Sequence, residues 1–477
     1  MKNVPSHTKI IATLGPATSP KEILRQMFIA GIDVCRLNFS HGKQEDHEKS
    51  IKDINELNHE LGTNVAILAD LQGPKLRIGE VKDNQVMLID GREIQLVTEK
   101  CIGTDEKLYI SYQKLPHDIK SGETILIDDG KIKLEVLETN EKNSIRTKII
   151  HGGVLSSKKG VNLPNTKISL PSLTQKDIDD ANFALDKGVD WIALSFVRSV
   201  TDIVELKQII KKKKKHSGVI AKIEKPEALN EIDNIIDMSD GIMVARGDLG
   251  VEVPFDQVPL IQKEIVNKCI KTAKPVIIAT QMMESMITNF RPTRAEANDV
   301  ANAVIDGADT LMLSGETSIG KYPVEVIKNM QQIIDWTEKN GFQFNREHAP
   351  KDFSITFLPD SICYNACKMA DQSNAKAIIT FTHSGYTAFR ISSHRPKADI
   401  FVFTRNKSLL RKMSLIWGVR AFYFDKYKNI DESINDSIEI LKKKKLVKEE
   451  DVIVHIGSTP LHEKGQTNML KLSYVKT

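Results

Sequence analysis

The sequence predicts an α/β chain built as a (β/α)8 TIM barrel, with an all-β lid domain inserted into it and a separate C-terminal α/β domain behind it. Three observations lead there. Eight short apolar runs each end in a polar or glycine-rich cluster and are followed, sooner or later, by amphipathic sequence. One of those connections is replaced by alternating strands, and after about residue 340 a second βα rhythm begins. At 477 residues the chain also exceeds the roughly 250–300 residues at which a single core stops growing, so two or three domains are required.

The eight runs are residues 8–15 (TKIIATLG), 33–41 (DVCRLNFSH), 66–72 (AILADLQ), 191–197 (WIALSFV), 219–224 (VIAKIE), 241–247 (GIMVARG), 275–281 (PVIIATQ) and 310–316 (TLMLSGE). Continuous apolar cores suit strands buried on both faces. The sequence between them repeats at three to four residues, as in 257–272 (QVPLIQKEIVNKCIKT), which suits helices covering a parallel sheet. The third unit is interrupted: residues 125–136 (ILIDDGKIKLEV) alternate, with Asp129-Gly130 marking a hairpin turn. The barrel is therefore assigned to residues 1–72 and 170–340, and an inserted β-barrel lid domain to 73–169. Further strands at 377–382, 400–404, 421–424 and 452–457 assign residues 341–477 to a separate α/β domain.

Composition excludes several classes. With 67 Lys plus Arg against 63 Asp plus Glu, the net charge of +4 is too small for this size to suggest a polyanion-binding surface. The Lys runs 211–215 and 442–445 lack interleaved aromatics and fall where helices end, so solvated helix ends are expected and nucleic-acid binding is not. Five scattered cysteines without a CxxC pair argue against a disulfide framework or a zinc site and suit a reducing cytoplasm. Cys363 and Cys367, four apart on an expected helix, are read as half-buried packing residues. The start of the chain has no apolar signal core, and no uncharged stretch approaches the ~20 residues of a membrane span, so neither export nor anchoring is expected.

In a β/α barrel, functional side chains gather where strands end. The ends of these runs supply two carboxylates (Glu224, Asp248), two cations (Arg36, Lys222), a hydroxyl (Thr280) and small oxygen donors (Asn38, Ser40, Asp70). Paired carboxylates hold Mg²⁺ through phosphate oxygens, and an Arg with a Lys is what a transferring phosphoryl group requires. Any one of these residues alone is equally an ion pair or a solvated strand end. Lys222 and Glu224 stand two apart and so share a face of one strand, which suits a site and a structural ion pair alike.

The same residues lie in strings that resemble the pyruvate kinase family: TKIIATLGPAT at 8–18, DVCRLNFSHG at 33–42, SKKGVNLPN at 157–165, AKIEKPEAL at 221–229, GIMVARGDLGVEVP at 241–254, ATQMMESMI at 279–287, and RPTRAEANDVANAVIDGAD through LSGET at 291–317. The resemblance covers nearly the whole chain. It implies transfer of the phosphoryl group of phosphoenolpyruvate to ADP, giving pyruvate and ATP in the last step of glycolysis, in a cytoplasmic homotetramer. It further implies that Glu224 and Asp248 hold Mg²⁺ or Mn²⁺, that Lys222 neutralises charge on the moving phosphoryl group, and that Arg36 holds the phosphate. Gly247, Asp248 and Thr280 would hold the substrate carboxylate, and Thr13, Asn38, His41, Arg77 and Lys159 would surround the nucleotide phosphates. His41 is equally a strand-end residue satisfied by backbone.

Asn38, Ser40, Asp70 and the Leu71 carbonyl resemble a monovalent-cation site, but Lys75 stands where K⁺-requiring members carry Glu, and Leu71, Gln72 and Ile78 accompany that change. An ammonium nearby supplies the charge K⁺ otherwise provides, so K⁺-independent activity is expected. The loop Thr382-His-Ser-Gly-Tyr-Thr387, with Ser384 and Gly385 at its centre, resembles family loops that bind phosphorylated allosteric effectors and is also an ordinary N-cap turn. The alternatives are another barrel enzyme acting on phosphoenolpyruvate without ADP, a lyase or mutase, and a binding protein that kept the fold and lost the chemistry. Intact Lys222, Glu224, Asp248 and Thr280 argue against the last.

Overall fold

The computed structural model describes residues 6–346, 348–350, 354–426, 429–459 and 467–476. Residues 1–5, which open the segment read above for a signal core, lie outside them. Eight parallel strands close into a barrel: β1 Lys9–Thr13, β2 Val34–Asn38, β3 Ala66–Asp70, β4 Trp191–Leu194, β5 Gly218–Ile223, β6 Gly241–Ala245, β7 Val276–Ala279 and β8 Thr310–Leu313. Each pairs with its neighbours in chain order, and β8 closes on β1 with Ile10 opposite Leu311. All eight predicted runs are strands. They form because β-branched and aliphatic side chains can be buried on both faces here: one face fills the barrel, the other meets the helices.

Eight helices complete the units: Lys21–Ala30, Gln44–Leu61, Gln175–Asp186, Val200–Lys212, Ile232–Met238, Val258–Thr272, Arg294–Asp306 and Pro323–Asn340. Their starts are set locally. Thr293 and Glu296 form a reciprocal cap, the Glu296 N–H donating to Thr293 Oγ1 at 3.2 Å and the Thr293 N–H to Glu296 Oε2 at 2.8 Å. The helix ending at Lys212 leads into the Lys run at 211–215, as its position at a dipole's negative end suggests. In the barrel centre Trp191 is buried against Gly218, where an added Cβ would lie 2.4 Å from the indole ring, so this packing tolerates no side chain at 218.

At the start of four strands an Asp stitches the barrel. Asp33 accepts from the Ile10 N–H at 2.9 Å, Asp190 from Ile67 at 2.9 Å, Asp240 from Val219 at 2.8 Å and Asp309 from Val276 at 3.0 Å. Two of these carboxylates also hold the C-terminal domain. Arg411 lies 2.9 Å from Asp190, and buried Arg395 lies 2.9 Å from Asp309 and stacks on Trp417.

The inserted domain leaves the barrel at Gly73, whose φ of +69° turns the chain beside Phe196. Its alternation produces an antiparallel hairpin, Thr124–Ile127 with Ile132–Thr139, turning through Asp128, Asp129 and Gly130 at positive φ. Its strands are divided between a six-stranded sheet and a two-stranded one, with single bridges such as Ile78–Ile110 outside both, in place of one closed β-barrel. Register shifts at Lys133/Leu134 and Val136/Glu138 break the continuous pairing of Ile132–Thr139 with Ser144–His151. One helical turn, Leu115–Asp118, interrupts the β structure.

The C-terminal domain carries β9 Ala377–Phe381, β10 Asp399–Thr404, β11 Val419–Tyr423, β12 Val452–Gly457 and β13 Met469–Tyr474, in the order β11-β10-β9-β12-β13. The first four match predicted runs. Antiparallel β13 was not foreseen, because its residues face solvent and carry no continuous apolar run. Cys363 and Cys367 lie on the helix Phe357–Gln372 and are buried rather than half-buried, and burial pushes the Cys363 thiol up to about 12. All five cysteines are free, and no described helix is long and apolar enough to cross a membrane.

Candidate active site

At the carboxyl end of the barrel, side chains from three strands meet in a buried charge cluster. Lys222 on β5 directs its ammonium to Glu224 Oε1 at 2.8 Å, to Ser195 Oγ at 2.7 Å and to Asp70 Oδ1 at 3.2 Å, the last a charge contact without hydrogen-bond alignment. Arg36 on β2 donates from Nε to Asp70 Oδ2 at 2.7 Å and from Nη1 to Thr13 Oγ1 at 3.0 Å. Asp70 and Glu224 are each only 1% exposed, and Arg36 and Lys222 9%. Shared facing along β5 thus brings Lys222 and Glu224 together, as their spacing requires.

Burial works against the charge on Lys222, but Asp70 and Glu224 outweigh it and hold the ammonium above the ordinary lysine range. For Asp70 burial is likewise outweighed, by Lys222 and Arg36, and its carboxyl sits below the usual range. Glu224 goes the other way. Burial raises it, Asp248 raises it further by repulsion, and Lys222 and the Phe196 N–H only partly oppose them. Two carboxylates come close enough here to repel each other, and among the described residues the Asp248 carboxylate makes no hydrogen bond or ion pair. This donor set fits a divalent cation completed by substrate oxygens. Among the described residues no group of three or more His, Cys, Asp or Glu gathers as a metal site.

Asp248 and Gly247 lie in the short helix Arg246–Glu252 directly after β6. The Gly247 N–H donates to Thr280 Oγ1 at 2.8 Å, and an added Cβ at 247 would lie 3.4 Å from that oxygen. Thr280 and Gln281 take φ of 70° and 53°, a left-handed pair unusual for a β-branched residue. Arg246 holds this turn by donating to the Thr280 carbonyl at 2.8 Å while paired with Asp299 at 2.7 Å. Strained backbone maintained by surrounding bonds is characteristic of functional sites.

The residues expected around a nucleotide divide between barrel and insert. Thr13 is buried and donates to the Leu313 carbonyl at 2.7 Å. His41 is exposed at the mouth, and its imidazole is held below the ordinary range by partial burial and by the charges of Lys75, Arg77 and Arg36. Arg77 donates to the Lys158 carbonyl at 2.8 Å, and Lys159 pairs with Asp128 at 2.9 Å inside the insert. The mouth is therefore cationic, which suits an anionic substrate.

Several donors read as a monovalent-cation site already have partners within the chain, though Asp70 Oδ1 has only the charge contact with Lys222. Asn38 Oδ1 accepts from the Ser40 N–H at 3.1 Å, the Leu71 carbonyl from Ser195 Oγ at 2.7 Å, and Asp70 is held by Arg36 and Lys222. Lys75 is exposed and does not enter that cluster, though its charge reaches His41. In the C-terminal loop the Thr382 hydroxyl accepts from the Gly385 N–H at 3.0 Å, Ser384 from the Tyr386 N–H at 3.4 Å, and Thr387 pairs with Thr467 at 2.9 Å. Sequence reasoning passed over Ser195 and Arg246, although each belongs to one of the eight runs.

A closed parallel barrel with a buried Lys–Arg–carboxylate cluster at its carboxyl mouth defines a barrel phosphotransferase. Residues 5–327 match the pyruvate kinase barrel domain, and residues 360–473 the pyruvate kinase alpha/beta domain. The chain is 42% identical over 470 residues to a pyruvate kinase of Agrobacterium vitis, covering 98% of each. It is 41% identical over 470 residues to one of Staphylococcus saprophyticus, covering 98% of this chain and 80% of that protein. A solved pyruvate kinase of Cryptosporidium parvum superposes with a TM-score of 0.90 at 34% identity, covering 98% of this chain and 96% of that one. The chain belongs to the pyruvate kinase family.

Proposed function

We propose that the chain transfers the phosphoryl group of phosphoenolpyruvate to ADP, the P–O bond to the enol oxygen breaking as one to the terminal ADP oxygen forms. The enolate then takes a proton and becomes pyruvate. The single observation that carries this is the Lys222–Glu224–Asp70–Arg36 cluster with Asp248 beside it. Glu224 and Asp248 would hold Mg²⁺ or Mn²⁺, which when bound neutralises charge on phosphate oxygens. Lys222 presents a preorganised ammonium to charge on the moving phosphoryl group, an interaction strongest in the transition state. Arg36 holds the phosphate, and Thr280 with the backbone of Gly247 and Asp248 orients the carboxylate. Thr13, Asn38, His41, Arg77 and Lys159 face the nucleotide phosphates, with the inserted domain as a lid that excludes water.

We also infer K⁺ independence, supported by the Arg36 and Lys222 cations held against Asp70 and by the Lys75 charge at the mouth. A homotetramer is supported by exposed apolar side chains such as Phe255 and Leu260 on the barrel and Tyr474 on the edge strand β13. The free cysteines support a cytoplasmic setting, and the loop with Thr382, Ser384, Gly385 and Thr387 is offered as a site for a phosphorylated effector. The test is pyruvate formation from phosphoenolpyruvate and ADP with Mg²⁺ in K⁺-free and Na⁺-free buffer, repeated with K⁺ and repeated without ADP. Full ADP-dependent activity without K⁺ is expected. Activity only with K⁺ overturns the role given to Lys75; consumption of phosphoenolpyruvate without ADP establishes a lyase or mutase instead; no activity overturns the catalytic assignment.

A further inference from the structure

We propose that Asn162, Glu252 and Lys225 form a latch that couples the position of the inserted domain to the Glu224–Asp248 carboxylate pair. Glu252 is the last residue of the helix that carries Asp248, and Lys225 directly follows Glu224. One carboxylate oxygen, Glu252 Oε1, receives both the Lys225 ammonium at 2.6 Å and the Asn162 side-chain amide of the inserted domain at 2.9 Å. Glu252 and Lys225 are both buried, and Glu252 Oε2 has no hydrogen-bond partner. A buried charge served through a single oxygen is sensitive to losing either donor.

Two further contacts extend the link. The insert's hairpin turn lies against the same helix, an ideal Cβ at Gly130 falling 3.8 Å from Val251 Cγ1. On the barrel side the Lys225 ammonium sits 5.9 Å from the centre of the Phe196 ring. Phe196 donates its N–H to Glu224 Oε2 at 2.7 Å, and its ring packs against Gly73 where the insert begins. A contiguous path therefore runs from the insert through Asn162, Glu252, Lys225 and Phe196 to Glu224. Lys225 and Glu252 are positioning residues for the proposed phosphoryl transfer, and this role rests on that reading.

Asn162→Asp places a carboxylate against Glu252 and should release the insert. Amide exchange at residues 73, 75, 76, 168–170 and 172 of the free protein should quicken about tenfold or more, since bonds to charged groups are at stake. KM for ADP should rise by a similar factor, with KM for phosphoenolpyruvate changing less than about threefold. Glu252→Gln added to Asn162→Asp restores a donor facing an acceptor and should recover most of both effects. Asn162→Ala, which introduces no charge, should show the same changes at about a third of the size or more. Wild-type exchange and wild-type KM for ADP in both single variants would overturn the latch, as would a double variant no better than Asn162→Asp. Exchange needs no substrate, so it judges the latch separately from the reaction.

Discussion

Replacing Lys222 by Met keeps a chain of similar length and removes one charge from the centre of the cluster. Its ammonium contacts Ser195, Glu224 and Asp70 within 3.2 Å. Asp70 would keep Arg36, whereas Glu224 would keep only the Phe196 N–H and the repulsion of Asp248. Breaking a buried pair by removing one partner costs about 3–5 kcal/mol, and with Arg36 still in place the lower end is expected. Catalysis should suffer more selectively. Loss of one preorganised group aimed at developing charge lowers kcat by roughly 10²–10³, while KM for phosphoenolpyruvate should move less than about threefold. Coupled pyruvate formation gives both constants, and urea unfolding followed by circular dichroism gives the stability loss. A folded Lys222→Met protein with kcat within about tenfold of the parent, or with only KM raised, would refute the reasoning and leave Lys222 as a structural ion pair.

Thr280→Gly relieves the left-handed strain at φ 70° and removes the acceptor for the Gly247 N–H. Stability should stay within about 1 kcal/mol while kcat/KM for phosphoenolpyruvate falls about tenfold or more; thermal melts beside kinetics check the separation. Lys75→Glu should make activity K⁺-stimulated by about tenfold or more at fixed ionic strength, whereas the parent responds less than about twofold. Asp190 gives a pH signature. Burial raises its carboxyl from 3.8 to about 6 against the pull of Arg411, so as pH falls through 6 the folded chain takes up a proton that the unfolded chain does not. Its contribution to stability therefore grows toward acid, by about 1 kcal/mol between about pH 7 and pH 5, and Asp190→Asn should flatten that slope in urea unfolding curves.

The barrel was legible because its strands are buried on both faces and leave uninterrupted apolar runs, as in Val219–Ile223 within β5. Lys222 and Glu224 were legible because a two-residue spacing fixes a common face. What stayed hidden depends on contacts between distant segments. Nothing in WIALSFV says that Ser195 reaches the Leu71 carbonyl, 124 residues away, nor does GVEVP announce that Glu252 will meet Asn162. Edge strand β13 gave no continuous run because no second sheet face buries it. The Lys75 position showed a change of charge, but not that the side chain would stay exposed while the Arg36 and Lys222 cations pair with Asp70.

The same residue type has opposite roles at the two ends of the barrel, and its place relative to the apolar run decides which. Asp190, Asp240 and Asp309 each precede a run, in DWIAL, DGIMV and DTLML, and Asp33 opens one, in DVCRLN. Each spends a carboxylate oxygen on a neighbouring strand's N–H that the ladder would otherwise leave open at its start. Asp70 and Asp248 come at or after the end of a run, where neighbouring strand N–H groups are already paired, and their carboxylates turn to cations or stay free. Stability thus collects at the amino ends and chemistry at the carboxyl ends. An Ala at 33, 190, 240 or 309, which removes the acceptor for the strand N–H, should lower stability with kcat preserved, whereas an Asn at 70 or 248 should lower kcat first.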